Sequence, residues 1–223
     1  KYSFELGDDP EKEKVYARLV KSILELTDEI FEQIVLRYNL LNYYRSAGKM
    51  NIKQKHTSKD FIDWISRLEL EQEVEEDTNK EENLEQLNNL FNWIWLTDKM
   101  NEKDMELLKE INNHPSIPWH YKSTVTSALS LSALRHFDQE KMILLYEFSQ
   151  NKEHQVWQRA LIGLLIGLFV YYNRINLYPE LKNRLKSLAD DQKINKTIEI
   201  IVIQLLRAKE TEKVSEKIRE EIL

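Results

Sequence analysis

The sequence predicts an all-α fold, a right-handed α-α superhelix of stacked antiparallel helix pairs, on three observations. Glycine and proline number only four each in 223 residues, whereas strand-rich folds use both freely in turns. Apolar residues recur three and four positions apart along most of the chain, the period of a helix with one covered face. From residue 101 onward a shorter amphipathic helix followed by a longer, more apolar one recurs every 35 to 38 residues, and a lone pair of that kind cannot cover its own apolar side.

Taken in order, Pro10 follows Asp8 and Asp9 and suits the first turn of a helix at 10–26 whose stripe is Val15, Leu19, Ile23 and Leu26. Thr27 or Asp28 caps a second helix at 28–47 with Phe31, Ile34, Val35, Tyr38 and Leu41 on its apolar side, and the two are expected to pair antiparallel. Residues 49–58 lack periodicity and read as a loop. A third helix follows at 58–72, turning Phe61, Trp64, Ile65 and Leu68 inward. Residues 1–74 thus form an N-terminal helical part. Glu69 to Glu82 carries eight carboxylates against one lysine, so 75–83 reads as a solvated acidic link. The helical-repeat array then occupies 84–223, beginning with a helix marked by Leu84, Leu87, Phe91, Ile94 and Trp95.

Within the array Asn101, Asp138, Asn176 and Thr211 are spaced by 37, 38 and 35 residues, and each is a residue type that caps a helix start. The pairs are Asp104 to Asn112 with Trp119 to Phe137, Gln139 to Phe148 with His154 to Tyr172, and Leu177 to Leu188 with Ile194 to Arg207. The second helix of each pair is expected to be the more buried, most of all the one holding Ile200 to Leu206. A half repeat follows Thr211, from which we expect the natural chain to continue beyond Leu223, and the start at Lys1 reads as an excised segment.

The stretches SALSLSALRHFDQEKMILL (127–145) and VWQRALIGLLIGLFVYYNRINLYPEL (156–181) resemble HEAT-like and tetratricopeptide-type helical repeats of large bacterial proteins. The resemblance extends over about residues 99–223. It implies a scaffold or partner-binding arm of α-solenoid type.

Composition narrows the chemistry. The formal charge of −6 repels a polyanion, so nucleic acid is not expected as a partner. With no cysteine there is no disulfide framework, thiolate nucleophile or cysteine-ligated metal. The longest apolar run, Ala160 to Tyr172, has 13 residues, short of the roughly 20 that a membrane span needs. The five histidines (56, 114, 120, 136 and 154) form no paired-ligand spacing, although His114 and His120 flank a turn. Asp190 and Asp191 read as caps rather than an acid–base pair. The serines at 123, 127, 130 and 132 lack any glycine elbow, so with Ala128 and Ala133 they read as a face for close helix packing. Gly163 and Gly167 repeat that logic as a flat groove for a crossing helix.

The function expected is therefore non-enzymatic: a cytoplasmic protein-interaction scaffold without cofactor or metal, binding a protein or peptide partner. A regulatory or sensor arm of a larger signalling ATPase or enzyme is the alternative. If the longer helices line the partner surface, their polar positions contact it. Those positions are His120, Ser123, Ser127, Gln155, Arg159, Lys196 and Arg207, with Trp119 as the aromatic placed to anchor a ligand.

Overall fold

The computed structural model describes residues 10–38, 61–65 and 80–222, and every regular element among them is helical. In chain order these are α1 (Pro10–Tyr38), a helical segment at 61–65, α2 (Lys80–Leu96), α3 (Glu102–Asn113), α4 (Trp119–Arg135), α5 (Gln139–Phe148), α6 (His154–Val170), a 3₁₀ helix (Tyr172–Leu177), α7 (Pro179–Ala189) and α8 (Gln192–Ile222). The chain divides into two compact units, Lys1–Pro179 and Glu180–Leu223. Among the described residues no helix is long and apolar enough to cross a membrane.

The capping residues explain where helices begin and where the sequence reading fails. Asn101 opens α3 with a reciprocal capping box: its side chain accepts from Asp104 N at 3.0 Å, and Asp104 Oδ2 accepts from Asn101 N at 3.2 Å. Asp138 opens α5, its Oδ1 accepting from Glu140 N at 3.1 Å. Asn176 opens nothing. It lies inside the 3₁₀ helix, and Pro179, with its fixed φ, starts α7 instead. Thr211 is likewise interior to α8: the helix continues through it, and its hydroxyl donates back to Arg207 O at 2.9 Å.

The expected break at Thr27–Asp28 is absent as well. Thr27 Oγ1 donates back to Ile23 O at 2.7 Å, and α1 runs unbroken to Tyr38. The antiparallel pair 10–26 with 28–47 is thereby replaced by one helix over the described residues, and 39–47 lie outside them. Of the third helix expected at 58–72, residues 61–65 are described and helical. Of the acidic link, 75–79 lie outside the described residues and Lys80 to Asn83 belong to α2.

The first unit is organised around α4, which meets α2 and α6 over its length and touches α3 and α5, while α3 also packs on α5. Alternate helices along the chain thus lie against one another. Their shared core holds Leu107, Leu108, Ile111, Leu129, Met142, Leu144, Phe148 and Leu164, all 2% exposed or less. The serine face behaves as expected: Ser123 and Ser132 are buried, and the hydroxyl of Ser130 donates to Thr126 O at 2.8 Å. Without long side chains on that face, α6 comes close. A Cβ added at Gly163 would lie 2.1 Å from Ser130 Oγ, and one at Gly167 would lie 2.9 Å from Met142 Sδ.

In the second unit α7 buries Leu181 and Leu188, and Asp191 accepts from Ile194 N at 3.2 Å at the start of α8. The expected burial of α8 does not occur. Ile200, Val202, Ile203, Leu205 and Leu206 remain 41–60% exposed, because an apolar sequence demands a cover without supplying one.

Gly163→Leu is expected to lower the melting temperature by several degrees, since overpacking a closed helix contact costs about 1–3 kcal/mol. Thermal unfolding followed by circular dichroism checks it, with Ile162→Leu on the exposed side of α6 as the unaffected control; equal melting temperatures would refute the packing argument.

Candidate functional site

A helix ends with unsatisfied carbonyls, and a left-handed glycine is the common local remedy. Here the only glycines in the described helices are Gly163 and Gly167, both interior to α6. Alongside local backbone bonds such as Ser149 N to Leu145 O, the ends of α2, α3 and α4 are closed by donors from other elements. Lys122 Nζ donates to His114 O at 2.7 Å, and Asn151 Nδ2 donates to Asn112 O at 2.9 Å, closing α3. Tyr171 donates its hydroxyl to Leu134 O at 2.9 Å near the end of α4.

The densest of these closures lies at the end of α2, whose last turn carries no basic residue of its own. Arg135 Nε donates to Trp95 O at 3.2 Å and Nη2 to Leu96 O at 2.9 Å. Lys141 Nζ donates to Thr97 O at 2.6 Å and to Asp98 O at 2.8 Å, and Ser132 Oγ adds a bond to Thr97 O at 3.1 Å. Two cations therefore sit at the negative end of a helix dipole. Lys141 is fully buried, and burial brings its ammonium down to about 8 from the ordinary 10.5. Neighbouring Asp138, the largest opposing influence on Lys141, also accepts from Met100 N at 2.8 Å and so fixes the next loop. His136 is buried beside this junction with no hydrogen-bond partner on Nδ1, and burial lowers its pKa, which favours the neutral ring.

The same junction holds α1. Arg135 Nη1 donates to Glu32 Oε1 at 2.9 Å and Nη2 to Asp98 Oδ1 at 2.5 Å. Arg174 grips Asp28 with both terminal nitrogens, the second at 2.8 Å, and this bonding raises the Arg174 pKa. Its guanidinium lies 5.3 Å from the ring of Tyr171 and 5.6 Å from that of Phe137, while Lys21 stands 4.5 Å over Tyr178. Burial, reinforced by nearby carboxylates, pushes both tyrosines up to about 12.

These contacts turn the side of α1 that carries Lys21, Glu25, Asp28 and Glu32 inward and leave most of its apolar stripe outward, the reverse of the sequence expectation except at Val35, which is buried. Tyr16, Leu19, Ile23, Leu26, Ile30 and Ile34 stay 46–57% exposed. Beside the C-terminal half of this stripe opens a groove of about 790 Å³, with Leu26, Ile30, Ile34 and Tyr38 on one wall and Asp98, Lys99 and His136 on the other. An outward apolar stripe beside a groove with a polar rim is the form of a docking surface for an amphipathic helix.

Comparison with protein-family models, with curated proteins and with solved structures returned no match. The site thus stands on its geometry.

Of the residues expected to meet a partner, Ser123, Ser127, Gln155 and Arg159 come together where α4 faces α6, and Trp119 and His120 lie one turn earlier on α4. Trp119 is 49% exposed at the start of α4, with His120 exposed beside it at a ring distance of 5.8 Å. Arg159 and Gln155 are exposed on α6, and Arg159 Nη1 donates to Ser127 Oγ at 3.0 Å. Ser123 is the correction in this group: it is buried, its hydroxyl donating to Gln155 O at 3.1 Å, so it joins helices instead of presenting a polar atom. Lys196 and Arg207 are exposed on α8, in the second unit. Sequence reasoning missed the α1 groove and the clamp made by Arg135 and Lys141. One signal was available: Lys141 directly precedes the apolar run Met142 to Leu145, and a cation among apolar neighbours is buried only when it has polar partners.

Two measurements test the clamp. Between about 8 and 10.5 the unfolded chain keeps a proton that the folded Lys141 has shed, so stability rises with pH there, by about 1.4 kcal/mol per unit from this group. Urea unfolding at pH 8 and 9.5, below the range where Tyr171 and Tyr178 act, should show that rise, and Lys141→Met should remove it. Asp28→Ala combined with Glu32→Ala should raise amide exchange in α1 about tenfold or more while α4 to α6 keep their protection; uniform loosening of both regions would contradict a local anchor.

Proposed function

We propose that this chain is a non-enzymatic protein-interaction scaffold in which stacked helix pairs, arranged as a right-handed α-α superhelix, present α1 and its groove to a helical segment of a partner protein. The observation that carries the reading is the orientation of α1: ion pairs to Arg135 and Arg174 hold its charged side, and the apolar stripe is left facing outward. An apolar face of that length is a liability in water unless a partner covers it. The packing of α2 on α4, α4 on α6 and α3 on α5, together with that of α5 on α6, supports the stacked-pair arrangement. The non-enzymatic reading is supported by the employment of the buried ionisable groups. Arg135, Lys141 and Lys122 close helix ends, and Asp138 caps α5.

The patch of Trp119, His120, Gln155 and Arg159 offers a second contact point, favoured by a tryptophan left half exposed at a helix start.

A photoreactive benzoylphenylalanine replacing Ile23, in cells expressing the protein, should yield discrete cross-linked species on irradiation. The same probe at the exposed Lys103 of α3 should yield none. Absence of any product from position 23 would overturn the interaction reading.

A further inference from the structure

We infer that the occupant of the α1 stripe is α1 of a second copy of this chain, lying antiparallel. The inference rests on the interaction reading above and adds the identity of the partner. Tyr16, Leu19, Ile23, Leu26 and Ile30 are separated by three, four, three and four residues, the alternation that one helix presents to another along a seam. A seam of this kind is filled by a helix and not by an extended peptide.

The area agrees. Six large side chains about half exposed offer roughly 600 Å² per copy, so that two copies would bury roughly 1,200 Å², the lower limit for a stable specific interface.

Direction follows from charge. Lys21, Glu25, Asp28 and Glu32 are turned inward, and the exposed charges flanking the middle of the stripe are Arg18 in the first half and Glu29 in the second. Two parallel copies would set like halves together, and two antiparallel copies set opposite halves together around a closed two-fold axis. Asp28 and Glu32 already serve Arg174 and Arg135, and Glu25 is half-buried near Tyr178, so the exposed carboxylate left at the seam edge is Glu29. Its contact with Lys99 at 3.3 Å is solvent-exposed and therefore easily exchanged.

The antiparallel register that keeps the seam continuous sets Leu19 against the partner's Ile30 and Ile23 against the partner's Leu26. It brings Arg18 beside the partner's Glu29 and delivers Tyr16 next to the partner's Gln33, a residue that lines the groove.

Light scattering on the purified protein at about 50 µM should give twice 26.8 kDa. Ile23→Asp with Leu26→Asp should return the mass to 26.8 kDa with an unchanged helical circular dichroism spectrum. Because the chain has no cysteine, direction is tested by oxidising a mixture of Leu19→Cys and Ile30→Cys proteins. The mixture should form a disulfide-linked heterodimer, and neither variant alone should dimerise covalently. A monomeric wild type, a dimer that survives the aspartates, or linkage by Leu19→Cys alone would each overturn the self-pairing. A monomer that still cross-links to a different protein through position 23 would leave the broader interaction reading standing, and the absence of any cross-link would remove both.

Discussion

The closure of the α2 end by Arg135 and Lys141 is the constraint on which the rest of the first unit depends. Among the described residues no glycine closes a helix end, and some of the terminal carbonyls find donors elsewhere. At α2 they come from α4 and α5, from residues that are adjacent only in the folded state. The two cations therefore do more than satisfy oxygens. They fix the turn that leads into α3, and through Glu32 and Asp98 they set the place where α1 can rest. Leaving Lys141 without those carbonyls would strand a charge in the interior, so the loop and the helices that surround it can form only together.

The orientation of α1 follows from that junction. A helix with one apolar and one charged side ordinarily buries the apolar one. Here the opposite side wins because it meets fixed, partly desolvated guanidinium groups, and a bidentate pair such as Arg174 with Asp28 is geometrically demanding in a way that apolar contact is not. The outward stripe and the groove beside it are thus consequences of the ionic docking of α1. The grooved contact of α4 with α6 shows the complementary strategy, in which small residues permit closeness and no charge is needed.

How far the candidate site was legible in the sequence can be argued residue by residue. Asn101 and Asp138 announce helix starts because a cap is a local event, decided by a side chain and an amide a few positions away. Thr27, Asn176 and Thr211 carry the same chemistry, and two of them use it backward toward a preceding carbonyl, a choice that residue type does not settle. The packing role of Gly163 was readable since an interior glycine in an apolar helix needs a reason. The roles of Glu32 and Asp28 were not, because their partners lie 103 and 146 residues away.

What the sequence alone determined is the helical class, most helix positions from α2 onward and the small-residue faces, all of which follow from periods and local bonds that operate within one or two turns. Tertiary structure alone decided which side of α1 faces out, which cations close which helix ends, and that Ser123 is a joint and not a contact. Those outcomes depend on distances between residues far apart in the chain, where the free energy of an ion pair or a carbonyl bond exists only once the intervening helices have brought the partners together.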